Sequence, residues 1–205
     1  MLLAEQALVG LRLRGQQVHA GVTVFADEAR RRSSAGLGAV DSRSLLNALH
    51  DLPVDLPVSQ SSLDPHALRT LHTAPPGVVD LGEDERGVVV RRLVPAVRVA
   101  LVLVHGADGI DPREWDTAVR DASQFAPFCA RGVVVSRPAS EQEPRTDMDL
   151  LLLKARFYGV GVAVQEHTAS LRWLLEPAPY RPERHSAAQW LFHEQAWRQL
   201  GPDRS

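Results

Sequence analysis

His105, Asp108 and Asp111 lie close together in the chain, and an acidic run, Glu83-Asp84-Glu85, precedes them. Carboxylates gathered in this way can hold a divalent cation such as magnesium beside a phosphate, with a neighbouring basic group organising the attacking water. Arg91, Arg92 and Arg98, with the run Arg30-Arg31-Arg32, are guanidinium groups of the kind that grip phosphates through paired hydrogen bonds. Trp190 and Trp197 stand seven residues apart near the C-terminus, on one face of a helix; docking on the chain's own core is the stronger reading, and tryptophan can also anchor a partner subunit.

Each candidate also has a plainer use. Asp111-Pro112-Arg113-Glu114 is a capping box with proline at the first helical position, and Asp108-Gly109 is turn chemistry. These structural uses are the stronger reading of the two acids. His50-Asp51 with Asp55, His66 with His72, and His193-Glu194 lack metal-ligand spacing, and His185 stands alone. Structural histidines are expected at all of these positions. Val102-Leu103-Val104-His105-Gly106 superficially resembles the oxyanion strand of α/β-hydrolases. No Gly-x-Ser-x-Gly elbow follows it, and Ser136, Ser140 and Ser170 lack that context. The single cysteine, Cys129, excludes an internal disulfide and falls on an apolar helix face, so a buried thiol is expected.

The elements that would position these residues are clearest in the C-terminal part. Val97–His105 reads as a strand, Pro112–Phe125 as a helix, Gly132–Val135 as a strand, Asp147–Tyr158 as a helix and Val160–Gln165 as a strand. The wholly apolar strands imply a sheet covered on both faces. Glu166–Ser170 reads as a hairpin connection into Leu171–Leu175, and Ala187–Leu200 as a terminal helix. Upstream, Gly77–Leu81 and Arg86–Val94 flank the acidic turn and are expected in the same sheet. Residues 1–75 read as an irregular extension: a hairpin through Arg14–Gln17, short helices over Ser44–His50 and Pro65–His72, and an extended linker at Asp51–Pro57. The expected fold is therefore α/β or α+β. Residues 76–205 would form a mixed sheet with flanking helices, and Arg30–Arg32 a short basic run before a turn.

Strand Val99–His105, the helix from Trp115 to Gln124 and Phe125, strand Gly132–Val135 and the closing Ala155-Arg156-Phe157-Tyr158-Gly159-Val160-Gly161-Val162 together resemble the restriction-endonuclease-like fold, the PD-(D/E)-x-K nuclease superfamily. The resemblance covers roughly residues 77–175. It implies DNA as the partner and a strand bearing metal-binding acids. Here the matching strand reads Val-Ala-Leu-Val-Leu-Val-His, and the strand before it offers Arg91 and Arg92 in place of an acid. Neutral aliphatic side chains do not hold magnesium. The resemblance thus implies a member without the usual catalytic acids, with His105 at the remnant of the active-site edge and Arg91 and Arg92 as phosphate contacts.

Composition sets the remaining bounds. With 23 basic and 25 acidic side chains the net charge is −2, which argues against strong non-specific binding to nucleic acid. No apolar stretch reaches membrane-spanning length, and no start resembling a secretion signal is visible, so a cytoplasmic location is expected. Arginine in preference to lysine points to a GC-rich bacterial source. The expected function is a non-catalytic, nuclease-like protein acting by binding, in a bacterial DNA-processing, defence or regulatory system. It would need no cofactor. Two alternatives stay open. One is a magnesium-dependent nuclease with migrated acids at Glu83, Asp84, Asp108 and Asp111. The other is an interaction or oligomerisation scaffold using the terminal tryptophan helix as a homodimer contact.

Overall fold

The computed structural model describes residues 8–82, 87–106, 112–136, 145–166, 170–182 and 186–201. Its described part divides into two compact units: Met1–Thr23 with Val99–Glu183, and Val24–Arg98 with Arg184–Ser205. A division at residue 75 was expected instead.

The first unit is built on a six-stranded sheet. Strands β1 (Leu8–Leu13) and β2 (Gln16–Val24) form an antiparallel hairpin, with Leu13 opposite Gln16. Arg14 and Gly15 both take positive φ, 52° and 82°, which matches the twist a two-residue hairpin turn requires. The remaining strands are β6 (Val97–His105), β7 (Ala130–Ser136), β8 (Gly161–Glu166) and β9 (Ser170–Leu175), in spatial order β1-β2-β6-β7-β8-β9. Strands β6, β7 and β8 run parallel, joined through helices α4 (Pro112–Ser123) and α5 (Arg145–Phe157), and β9 returns antiparallel. The α/β class and mixed sheet follow the expectation. The N-terminal hairpin, expected in an irregular extension, supplies two of the six strands.

Hydrophobic alternation explains why these strands lie where they do. Leu11, Leu13, Val18 and Ala20 are buried from the hairpin, and Val99, Leu101, Val102, Leu103 and Val104 from β6. Helix α4 buries Trp115, Ala118, Val119 and Ala122 at helical spacing. On one sheet face Leu101, Leu103, Ala130 and Val134 meet Leu171, Trp173 and Tyr180. Gly132 and Gly161 are register partners and make room for the Trp173 indole; a Cβ on Gly161 would approach it to 2.6 Å.

The second unit holds a three-stranded sheet ordered β3-β5-β4, made of β3 (Pro57–Ser59), β4 (Val79–Leu81) and β5 (Val88–Arg91). Strands β4 and β5 were expected in the large sheet; β5 instead pairs with β4 on one side and β3 on the other. The proline-bounded stretch before β3 is not a free linker, because Asp55 N–H donates to the Arg91 carbonyl at 2.9 Å. Around this sheet lie α1 (Ala26–Ser34), α2 (Arg43–His50), α3 (Pro65–His72) and α6 (Ala187–Leu200). Side-chain caps start three of them: Ser42 accepts from Leu45 N–H, Asp64 from His66 and Ala67 N–H, and Ser186 from Gln189 N–H. The core joins Leu45, Leu46, Leu49, Leu71, Val78, Val89 and Leu93 to Ala187 and Trp190.

Candidate functional site

Open α/β sheets bind ligands beyond the carboxyl ends of their parallel strands. That edge is formed here by the ends of β6, β7 and β8, at His105, Ser136 and Glu166. His105 is exposed, and its ring meets the exposed ring of His19 from β2 edge-on, with centroids 4.6 Å apart. Burial, and then the charge of His105, hold the His19 pKa below its ordinary value, so the neutral ring is favoured there. Two adjacent imidazoles on a sheet rim can donate hydrogen bonds to an anionic oxygen.

The acids expected beside His105 do not enter this description: Asp108, Asp111, Glu83 and Asp84 lie outside the described residues. Among the described residues, no three His, Cys, Asp or Glu side chains converge as a metal site. Strand β6 itself carries aliphatic side chains packed into the core from Val99 to Val104, apart from the half-buried Ala100.

The arginines expected to line a phosphate groove are mostly committed inside the second unit. Arg32 is fully buried; its Nη1 and Nη2 donate to Glu194 at 2.7 and 2.8 Å, its Nε to Glu28 at 2.9 Å, and Nη2 also to the Val94 carbonyl. Burial works against its charge, but the hydrogen bonds and charges of Glu194 and Glu28 outweigh it and raise the pKa. Arg31 donates to both oxygens of Glu28 and to the Gly77 carbonyl. Arg91 donates to the carbonyls of Leu93, Leu49 and Leu52, and its guanidinium lies 4.5 Å over the Trp190 ring. Arg92 bridges Asp80 and Asp55. A phosphate would have to displace these partners, so the geometry does not favour Arg91 and Arg92 as phosphate contacts. Arg98 is exposed on β6 and has no side-chain partner among the described residues.

The tryptophans are likewise spent within the chain. Trp190 and Trp197 are each 5% exposed, and the Trp190 indole N–H donates to Glu194. They therefore form part of the subunit's own packing, the stronger of the two readings of this pair, and little of either indole is left at the surface. His193 is buried beside Phe192, and Cys129 is buried with its thiol pushed up to about 12 by desolvation. A shallow hollow of about 490 Å³ borders Phe25, Asp27, Glu28, Arg31, Val94 and Pro95, but Glu28 and Arg31 within it are already paired.

His19 escaped the sequence reading, and Glu194 entered it only beside His193. His19 sits on the exposed side of an alternating strand, and nothing local announces that β2 lies beside β6. Glu194 looked like one acid of an ordinary helix, yet it accepts from Arg32, the Val40 amide and Trp190 together. No family model, curated protein or solved structure matches the chain.

Proposed function

We propose that the chain is a nuclease-like protein that acts by binding, with the carboxyl edge of β6–β8 as the face that meets its partner. The observation that carries this reading is the make-up of β6. The strand on which the resemblance implies metal-binding acids is given over to core packing from Val99 to Val104, and it delivers a histidine, His105, to the rim. His19 beside it provides a second hydrogen-bonding ring on the same rim. DNA is the partner implied by the resemblance, and a bacterial DNA-processing, defence or regulatory setting goes with it. The contacts come from the rim in place of Arg91 and Arg92, whose guanidinium groups are already engaged.

Fluorescence anisotropy of a labelled duplex across a salt series tests the reading. Affinity is expected to fall as salt rises, in proportion to the phosphates contacted, and to weaken in His105→Ala and His19→Ala. Absence of binding at low ionic strength overturns it.

A further inference from the structure

Helix α5 turns opposite faces to very different surroundings. Leu151 and Ala155 are buried, and Lys154 Nζ is paired with Asp116 of α4, which fixes how the helix is rotated. On the outward face Leu150, Leu153 and Phe157 are 61%, 66% and 83% exposed, with Tyr158 just beyond them at 47%. Their spacing of three and then four residues puts the first three on one stripe, the a and d pattern of a helix seam. Single exposed apolar side chains are ordinary, but a contiguous stripe of this kind marks an interaction surface.

The flank of the stripe carries charge. Asp149 and Arg156 are both exposed, stand seven residues apart on the same side of the stripe, and have no side-chain partner among the described residues. We propose that a second copy of this chain docks here, α5 against α5, antiparallel about a two-fold axis. In an antiparallel helix pair like flanks face each other, whereas in a parallel pair opposite flanks meet. One acid and one base on a single flank are therefore self-complementary only in the antiparallel arrangement. With Leu150 lying on Leu153 of the second copy, Asp149 falls opposite Arg156 of that copy. The two-fold repeats the contact. This surface shares no residue with the rim bearing His19 and His105, and the inference does not depend on what the rim binds.

Sedimentation equilibrium of the full chain over a concentration series into the high micromolar range tests it. The wild type is expected to dimerise. Leu153→Glu, at an exposed position, should weaken the dimer at least about tenfold while leaving the far-ultraviolet circular dichroism unchanged. Asp149→Arg and Arg156→Asp should each weaken self-association, and mixing the two variants should restore a dimer, because opposite charges then face each other at both contacts. A wild type that stays monomeric overturns the proposal, as does a dimer indifferent to Leu153→Glu. Failure of the mixed variants to associate better than either alone overturns the antiparallel pairing.

Discussion

The two units bury different chemistry. The five buried polar or charged side chains among the described residues, Glu28, Arg32, Gln189, His193 and Glu194, all belong to the second unit. The first unit fills its interior with aliphatic and aromatic groups from the sheet and α4. A sheet covered on both faces leaves little room for ions, because each buried charge must find partners that the strand backbone has already taken. The second unit has short strands and several helices, and long side chains from α1 and α6 complete its interior. The lesson is that apolar packing alone fills the interior of one unit, whereas the other adds specific buried ion pairing to its apolar core.

The comparison breaks first at Glu194. Glu194→Ala would leave a fully buried guanidinium with Glu28 as its one carboxylate, at a cost of about 3–5 kcal/mol, and faster amide exchange in α1 and α6 would report it. Replacing Arg32, Glu28 and Glu194 together by apolar residues of similar volume should cost less, since no fully buried charge is left unpaired, while Arg31 loses Glu28 and the Val40 and Trp190 N–H groups lose Glu194. In the first unit the corresponding weak point is packing. Leu103→Ala should cost about 2–5 kcal/mol, with faster exchange concentrated in β6 and β7. Gly161→Ala, which pushes a Cβ against Trp173 and Pro177, should cost about 1–3 kcal/mol and perturb the Trp173 fluorescence.

Acid sharpens the contrast further. Burial raises the Glu28 pKa, but hydrogen bonds from Arg31 and Arg32 and their charges bring the net value below the ordinary one. The unfolded chain therefore takes up this proton first as pH falls. Stability from Glu28 is complete above its ordinary range, about pH 4, and is lost as pH drops through the lower folded value. His19 has a lowered pKa as well, so its contribution is complete above about pH 6.5 and is lost as pH falls through its folded value. Amide exchange followed from neutral to acidic pH should thus show the rim of β2 and β6 loosening before α1, and Glu28→Gln should flatten the acidic response of α1. The smallest effect concerns Cys129. With its thiol held up at about 12 it should resist thiol reagents in the native protein and react on unfolding.

The elements were legible wherever periodicity was strong. Val97–His105, the two crossover helices and the terminal helix fall close to where alternation and capping residues place them. Helix α1 was hidden, because Ala-Asp-Glu-Ala-Arg-Arg-Arg-Ser-Ser has almost no apolar stripe; its buried face is Glu28, Ala29 and Arg32. Its signal is electrostatic: acids in the first turn and bases in the last suit the helix dipole. Strand partners were less legible than strands. Nothing in Val79–Leu81 or Val88–Arg91 says that they join Pro57–Ser59 in a separate three-stranded sheet, since such pairing depends on contacts distant in sequence. The rim was half legible for the same reason: His105 stands at the end of a readable strand, while His19 reaches it only through the β2–β6 neighbourhood.

One mixture tests the central claim most directly. Duplex DNA is incubated with the wild-type chain and magnesium at low salt, then divided between a native gel and a denaturing gel. Binding through the carboxyl edge without cleavage predicts retarded DNA on the native gel and intact strands on the denaturing gel. Shortened strands, or DNA that runs free at every protein concentration, would contradict it.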